Sequence, residues 1–333
     1  MSDNEEGRVE ESGDDETSGS SIARRFRMDV IQEVVEVDRE AGTVELLIYP
    51  DPRRYEWRED AGERFLYDRF DQTVMGSDLV MQMLRESQNI KPLSQPQQLG
   101  DAITYVKGRS EAIRRRLSGQ LIDDPPADPA SEALARFIGK KHEYVAVVLD
   151  IKDSTRLARS VDAAVMARIV EAVSAEMSAV LTSFYGHVLK YTGDGLIAVF
   201  AAPNFIRMND HALDCALTMR RLVYEGLNPA FVEWDYPSIE IRIGIEGGEG
   251  IATILGDSST KRSIDLIGDF ISMAAKLEAS APPGGIYLGY ITERNLHTAW
   301  RQQLLRVSMP ATWDYLDDRG NSYPVYEAPV VRT

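Results

Sequence analysis

Cysteine is almost absent from this 333-residue chain, in which Cys215 is the only one. A single cysteine rules out a disulfide framework within the chain and is typical of a reducing compartment. Histidine is nearly as scarce, and the four histidines lie in separate segments without the spacing of zinc ligands. Small disulfide-stabilised proteins and histidine-based zinc enzymes are therefore disfavoured.

Long apolar runs are also lacking. The sequence contains no window of about 18 uncharged apolar residues, so we expect no transmembrane helix. The N-terminus is acidic and polar, which is the opposite of a secretory signal. Together these features predict a soluble, cytoplasmic protein that does not associate with a membrane.

Basic residues are fewer than acidic ones: the chain has 37 Lys and Arg against 53 Asp and Glu, which gives a net charge of -16. A chain of this charge is not expected to bind nucleic acid through phosphate contacts. The first 21 residues hold eight acids and one arginine, so they carry -7 of the total. The rest of the chain is only mildly acidic, which leaves room for a pocket that binds an anion with the help of a metal.

Composition divides the chain into four segments. Residues 1–21 are too acidic and too poor in apolar side chains to fold alone, which predicts a disordered tail. Residues 22–123 contain two alternating strands and two helical patterns, which predict an N-terminal α+β extension of unknown role. Residues 124–141 predict a proline-containing linker followed by a short helix. Residues 142–333 predict the larger domain.

The larger domain opens with "EYVAVVLDI", an apolar and β-branched run that predicts a buried strand. A long helical pattern from Asp162 to Phe184 follows, and "GHVLKYTGDGLIAVFAAP" then predicts a β-hairpin. The glycines of "SIEIRIGIEGGEGIATILGD" predict two strands there. The overall order is close to βαββαββαβ, and strands of both directions covered by helices predict an α+β fold.

Two aspartates in this pattern are candidates for metal binding. Asp150 ends the buried strand, where a carboxylate is costly unless it is paired or holds a metal. Asp194 lies at the tip of the predicted hairpin, where an ordinary turn would also favour aspartate. If the hairpin pairs beside the first strand, the two carboxylates meet, as two-metal phosphoryl chemistry requires.

The residues that follow Asp150 suit a phosphate group. The carbonyl of Ile151 could add an oxygen ligand of the kind that Mg²⁺ and Mn²⁺ prefer. Ser154 and Thr155 are expected to cap a helix whose free N–H groups could bind phosphate. Capping of that helix by Asp150 and Asp153 is the simpler alternative.

Five stretches, taken together and in order, resemble the class III nucleotidyl cyclases, the catalytic domain shared by adenylyl and guanylyl cyclases. They are "YVAVVLDIKDST", "YGHVLKYTGDGLIAVF", "IRIGIEGGEG", "IDLIGDFISMAAKLE" and "GGIYLG". The resemblance covers residues 144–291 and implies a ferredoxin-like domain that turns a ribonucleoside triphosphate into a 3′,5′-cyclic mononucleotide and pyrophosphate. It also implies two Mg²⁺ or Mn²⁺ ions per site and a head-to-tail homodimer whose subunits share each site.

The resemblance assigns the metal site residue by residue. Asp150, with the carbonyl of Ile151, matches the first metal aspartate in the family motif "D-I-x-G-S/F-T". Asp194 matches the second, in "K-x-x-G-D". The glycine of the first motif is replaced by Asp153, which puts the shape of the phosphate-facing turn in question.

The resemblance also assigns the residues that read the base. Lys190 occupies the lysine of "K-x-x-G-D", and Asp265 matches its acidic partner. Lysine only donates and ionised aspartate only accepts, so the pair fits the ring nitrogen and exocyclic amine of adenine or cytosine. Guanine and uracil offer the reverse pattern, although a shifted uracil could still meet both groups.

Ser272 and Lys276 lie four residues apart on one predicted helix face. They occupy the places of a family asparagine and arginine that steady the ribose and the transition-state charge, and lysine lacks the planar fork of arginine.

Together with the altered "DIKDST" motif, these two replacements resemble the pyrimidine nucleotide cyclases of bacterial anti-phage defence, whose cyclic UMP or cyclic CMP activates a separate effector. The sequence therefore predicts a pyrimidine cyclase. The alternatives are an adenylyl cyclase and a degenerate domain that only binds nucleotide; a diguanylate-cyclase-like enzyme is disfavoured because "EGGEG" lacks its signature.

Overall fold

The structure is a computed structural model that describes residues 28–38, 43–70, 72–88, 102–119, 134–201, 205–256, 263–317 and 319–329. The predicted acidic tail at residues 1–21 and the proline-rich part of the predicted linker, residues 124–133, lie outside these ranges. No helix within the described ranges is both long and apolar enough to cross a membrane.

The N-terminal part contains two small antiparallel sheets and two helices. Its elements are β1 (Val30–Asp38), β2 (Thr43–Pro50), β3 (Tyr55–Asp60), β4 (Glu63–Asp68), β5 (Thr73–Gly76), α1 (Ser77–Gln88) and α2 (Ala102–Leu117). The first strand pair and both helices agree with the sequence pattern. The sheet of β3, β4 and β5 was not predicted, because its strands carry many charged residues and have a weak apolar alternation.

The larger part contains eight strands and seven α-helices within the described ranges. Its strands are β6 (Lys141–Ile151), β7 (Gly186–Tyr191), β8 (Leu196–Phe200), β9 (Ile241–Leu255), β10 (Ser263–Ile267), β11 (Ile286–Gly289), β12 (Leu305–Val307) and β13 (Val325–Glu327). Its helices are α3 (Ser154–Ser160), α4 (Ala163–Ser183), α5 (Phe205–Leu222), α6 (Asn228–Glu233), α7 (Asp269–Ser280), α8 (Tyr290–Asn295) and α9 (Thr298–Arg301). A short π-helix at Val223–Leu227 joins α5 to α6.

The strands of this part form one mixed sheet. Seven of them follow the order β12-β13-β11-β9-β6-β8-β7, and β10 pairs with the far end of β9. The β9–β11 pair is parallel, whereas the other pairs are antiparallel. The α+β fold with a mixed sheet covered by helices and an N-terminal extension is thus confirmed.

The central strand β6 is buried on both faces, as its apolar run predicts. Val145, Val147 and Leu149 belong to the main core cluster with α4 and α5. The alternating residues Tyr144 and Val148 belong to a second cluster under α7. Because side chains alternate along a strand, Asp150 follows on the face that α7 covers.

Strand β9 differs from the prediction. Its glycines predicted two strands, but residues Ile241–Leu255 form one continuous strand of 15 residues. The glycines serve close packing instead of a turn: a Cβ atom on Gly244 would lie 2.0 Å from the carbonyl oxygen of Ala274 and 2.4 Å from the amide nitrogen of Glu278. Helix α7 can therefore lie directly on the strand only because residue 244 has no side chain.

The N-terminal part packs against the larger part through buried contacts. Helix α2 contributes Val106, Ile113 and Leu117 to the main core cluster. Its Arg109 also forms a bidentate ion pair with the buried Glu176 of α4, at 2.8 and 2.9 Å. These contacts make α2 part of the packing of the larger domain.

Candidate active site

The two candidate metal ligands lie together at the end of the central strands. Strand β6 pairs with β8 from Val145–Phe200 to Leu149–Leu196, so the hairpin tip before Leu196 reaches the end of β6. Asp150 follows Leu149 on one strand, and Asp194 stands two residues before Leu196 on the other. The predicted meeting of the two carboxylates is confirmed in the structure.

Gly195 permits this close approach. A Cβ atom on this residue would lie 2.4 Å from the carbonyl oxygen of Leu149 and 3.1 Å from Oδ1 of Asp150. Any other residue would therefore push the hairpin tip away from β6. The glycine that reads as an ordinary turn residue thus has a second role, which is to bring Asp194 beside Asp150.

The carboxylate pair carries the electrostatic signature of a cation site. Burial raises the pKa of the Asp150 carboxyl group, and the charge of Asp194 and a hydrogen bond between the two groups raise it further. Oδ2 of Asp194 is buried and has no hydrogen-bond partner among the described residues. An orphaned carboxylate oxygen beside a second carboxylate is costly, and a divalent cation would satisfy both.

The site provides only part of a coordination sphere. Within the described ranges, no group of three or more His, Cys, Asp or Glu is arranged to hold a metal ion. Ile151, whose carbonyl is the third predicted ligand, is buried and lines a cavity together with Asp150. The donor set suits Mg²⁺ or Mn²⁺, which commonly use one or two carboxylates and take their remaining oxygens from water and substrate phosphates.

An arginine of β9 faces the carboxylate pair. Arg242 is the register partner of Asp150. Its Nη2 donates to Oδ2 of Asp150 at 3.2 Å and lies 2.8 Å from Oε1 of Glu278 on α7. The pKa of Glu278 is raised to about 7, mainly by burial: Arg242 lowers the pKa, and the charges of Asp150 and Asp194 raise it. One guanidinium therefore balances a group of three carboxyl groups.

Two adjoining cavities open beside these residues, with volumes of about 450 and 460 Å³. Both are lined by Ser154, Thr155 and Arg159, and Asp194 lines one while Asp150 lines the other. The second cavity is also lined by cations from three elements, namely Lys152, Arg156 and Arg242. Cavities lined by both carboxylates and cations suit a ligand that carries both metal and phosphate charge.

The turn after β6 differs from the prediction in one respect. Helix α3 begins at Ser154, so Ser154 and Thr155 form its first turn and do not cap it. Asp153 is the cap residue, but its side chain makes no capping hydrogen bond and instead meets Nζ of Lys152 at 2.6 Å. Asp153 has a φ of 57°, the left-handed conformation that glycine favours and aspartate tolerates. The turn thus keeps a glycine-like backbone where the family motif has glycine.

The two predicted base-reading residues contact each other. Nζ of Lys190 on β7 donates to Oδ2 of Asp265 on β10 at 2.9 Å. The lysine side chain is about half exposed and the aspartate is mostly buried, at 46% and 19%. A second oxygen of Asp265 accepts from the backbone N–H of Leu266 at 2.9 Å, which fixes the carboxylate.

Ser272 and Lys276 lie on α7, as predicted, but their surroundings differ. Ser272 is exposed, whereas Lys276 is half-buried. Nζ of Lys276 donates to the hydroxyl of Tyr315 and lies 4.2 Å from the centre of its ring. The sequence does not reveal this partner, because Tyr315 lies 39 residues away in the β12–β13 connection.

The structure thus divides the predicted residues into separate groups. Among the described residues, those lining the two cavities include Asp150, Ile151, Asp194, Ser154 and Thr155. The predicted base-reading pair and the two polar residues of α7 line neither cavity. Arg242 was not predicted, although an arginine inside the apolar strand "IEIRIGI" is a usable signal for a buried ion pair.

Comparison with known proteins identifies the family of the domain. Residues 138–309, just over half of the chain, match the family described as "Adenylate and Guanylate cyclase catalytic domain". Two uncharacterized proteins of Mycobacterium tuberculosis are 27% and 25% identical over 173 residues. That region is 52% of this chain but only 29% and 31% of those proteins, so the chain spans less than a third of their length.

A solved structure agrees at the level of the fold. The crystal structure of the guanylyl cyclase Cya2 covers 57% of this chain and 93% of its own, with a TM-score of 0.50 and 16% identity. At this identity the likeness shows the fold alone, and the family match establishes membership. The adenylyl cyclase CyaB from P. aeruginosa covers 58% of this chain and 96% of its own, with a TM-score of 0.48 and 19% identity. The chain belongs to the adenylate and guanylate cyclase catalytic domain family, the class III nucleotidyl cyclases.

Proposed function

We propose that this protein is an active nucleotidyl cyclase that converts a ribonucleoside triphosphate to a 3′,5′-cyclic mononucleotide and pyrophosphate. The observation that supports this most directly is the buried, unpartnered Oδ2 of Asp194 beside Asp150. A domain that only dimerises or regulates a partner gains nothing from two like charges in contact. A family member that has kept both carboxylates is therefore expected to have kept the reaction.

In this proposal Asp150, Asp194 and the carbonyl of Ile151 hold two divalent ions, Mg²⁺ or Mn²⁺. Bound there, the ions supply Lewis-acid charge and lower the pKa of the ribose 3′-hydroxyl. The triphosphate lies in the cavities lined by Ser154, Thr155 and the neighbouring cations. Arg242 is then free to exchange part of its pairing with Asp150 for a phosphate oxygen.

The reaction is a displacement at the α-phosphorus. The ribose 3′-hydroxyl gives up its proton to water, and its oxygen forms a new bond to that phosphorus. The bond between the α-phosphorus and the oxygen that bridges it to the β-phosphate breaks, and pyrophosphate leaves with the electron pair. Phosphoryl transfer of this kind depends on positioning and on stabilisation of charge. We assign stabilisation of the transition-state charge to Lys276 and contact with the ribose to Ser272, because of their places in the family motif.

For the base we propose a pyrimidine, which gives cyclic UMP or cyclic CMP as product. Support comes from the resemblance of Ser272, Lys276 and the "DIKDST" turn to the pyrimidine branch. The Lys190–Asp265 pair offers one donor beside one acceptor, which meets cytosine directly and uracil after a shift of the base. Adenine meets the same pair directly, so an adenylyl cyclase is the second candidate.

We further propose a homodimer with shared sites. Within one subunit, Lys276 contacts Tyr315, whereas Asp150 contacts Arg242. Neither Lys276 nor Lys190 lines the cavities beside the metal aspartates of the same subunit. A second copy in head-to-tail arrangement would supply these groups to each cavity and would create two composite sites.

The biological role that we propose is synthesis of a second messenger for anti-phage defence. The cyclic nucleotide would act on a separate effector protein. This rests on the resemblance to the pyrimidine branch and depends on the base preference.

The metal assignment predicts opposite effects of Asp194→Asn on stability and on ion binding. Without metal, this variant should be more stable than wild type by about 1 kcal/mol, because the like charge beside Asp150 is removed. It should also lose the rise in unfolding temperature that Mn²⁺ gives the wild type. Thermal unfolding with and without Mn²⁺ measures both. Asp162→Asn, which neutralises an exposed helix cap, is the matched control, and equal stabilisation of Asp194→Asn by Mn²⁺ would refute the assignment.

The proposed reaction predicts a cyclic product from at least one of ATP, GTP, CTP and UTP in the presence of Mn²⁺. We expect UTP or CTP to be preferred, and mass spectrometry of the nucleotide together with pyrophosphate release identifies the product. Asp150→Ala combined with Asp194→Ala should abolish it while the fold remains intact. Product from ATP alone would overturn the pyrimidine proposal, and no product from any of the four would overturn the enzymatic one.

Shared sites predict rescue between two impaired variants. Asp150→Ala should lack activity and Lys276→Ala should keep only a small residual rate, because each damages both sites of its homodimer. After mixing, half of the dimers are mixed and each of these has one intact site, so activity should recover to about a quarter of wild type. Absence of recovery in a mixture shown by native mass spectrometry to contain mixed dimers would contradict the composite site.

The defence role predicts protection that depends on the reaction. Cells that carry the gene with its natural neighbours should resist phage infection and should accumulate the cyclic pyrimidine nucleotide after infection. The Asp150→Ala, Asp194→Ala double variant should do neither. Equal phage plaque counts on cells with wild type and double variant would remove the proposed role without affecting the proposed chemistry.

A further inference from the structure

Lys276 of helix α7 contacts Tyr315, a residue of the β12–β13 connection. Nζ of Lys276 donates to the hydroxyl of Tyr315 and lies 4.2 Å from the centre of the ring. The ammonium thus has a hydrogen-bond acceptor and an aromatic face on the same residue. Each restricts a lysine that would otherwise sample many rotamers.

The segment that carries Tyr315 is itself well ordered by internal contacts. The backbone N–H of Tyr323 donates to the carbonyl of Tyr315 at 2.8 Å, and Nε1 of Trp313 donates to the carbonyl of Tyr323 at 3.2 Å. The rings of Trp313 and Tyr315 meet edge to face at 4.6 Å. These contacts restrict the position of Tyr315 independently of its contact with Lys276.

This segment is anchored to the centre of the domain. The hydroxyl of Tyr323 donates to Oε2 of Glu246 at 2.8 Å, and Glu246 lies fully buried on β9. The other oxygen of Glu246 accepts from the backbone N–H and hydroxyl of Thr292 on α8. A continuous set of contacts thus runs from the buried carboxylate through Tyr323 and Tyr315 to Lys276.

We propose that Tyr315 is a positioning residue that fixes the ammonium of Lys276 for the reaction. The inference rests on the proposed function, in which Lys276 stabilises the transition state. Lysine is a compact charge on a flexible stem and lacks the preorganised fork of the arginine it replaces. Tyr315 supplies that missing orientation through one hydrogen bond and one cation–π contact. In a shared-site dimer the same contact aims Lys276 toward the partner's metal site.

Kinetics of a double-mutant cycle test the role. Tyr315→Phe should lower kcat by up to about tenfold, because the free energy of the lost hydrogen bond corresponds to a rate change of about that size. KM should change little. Tyr315→Leu should lower kcat further, by about tenfold to thirtyfold, because the aromatic face is also lost. In a Lys276→Met background both substitutions should have no further effect on the residual rate. Equal losses in the two backgrounds would mean that Tyr315 acts on stability alone and would overturn the proposal.

A second measurement does not depend on activity. The ε-methylene protons of Lys276 should show an upfield ring-current shift by NMR in wild type and in Tyr315→Phe, and the shift should vanish in Tyr315→Leu. Tyr67→Leu is the matched control, because it removes a similar contact with Arg58, at 3.7 Å, in the N-terminal part and should leave kcat unchanged. A wild type without cyclase activity but with the shifted protons would reject the proposed function while retaining the contact. Absence of the shift in wild type would reject the positioning role.

Discussion

The contact between Asp150 and Asp194 is unfavourable by itself, and much of the domain is arranged to maintain it. Pairing of β6 with β8 brings the two chain segments together, and Gly195 removes the side chain that would separate them. Arg242 supplies a positive charge, but Glu278 shares it. The protein's own residues therefore leave the site short of positive charge and leave one carboxylate oxygen unsatisfied. Such a contact persists where the surrounding fold enforces it, and this is the usual condition of a site that waits for a cation.

Helix α7 connects the two halves of the proposed chemistry. Gly244 lets the helix lie on β9, which brings Glu278 to Arg242 at the metal end. Two residues earlier, Lys276 points to a different side and meets Tyr315, because residues two apart do not share a helix face. In the proposed dimer, one helix would thus support the metal site of its own subunit and contribute to the site of the other. A shift of α7 on β9 would disturb both sites at once.

Local patterns predicted the parts of this structure that depend on local physics. The apolar run of β6, the hairpin and the long helix α4 follow from burial and turn chemistry, and so does the position of Asp150 at a strand end. Strand β9 was misjudged because glycine indicates a turn in most sequences, and the helix that needs its glycines lies about 30 residues later in the chain. Arg242 and Tyr315 were missed for the same reason, since their partners lie 92 and 39 residues away. Asp153 could not be judged from its type, because only the backbone shows that it takes the conformation of the glycine it replaces.

The net charge of -16 does not conflict with an anionic substrate. Exposed charges are screened over about 8 Å at physiological ionic strength, so the potential at a cavity depends on its own lining. Four cations line the second cavity, namely Lys152, Arg156, Arg159 and Arg242. Asp150 lines the same cavity, and in the proposed function the substrate's phosphates would lie between it and these cations. The acidic surface elsewhere keeps other polyanions, such as nucleic acids, from binding without selection. The charge of the whole chain thus disfavours nucleic acids, whereas the charge of the cavity would, in the proposed function, favour a triphosphate bound together with divalent ions.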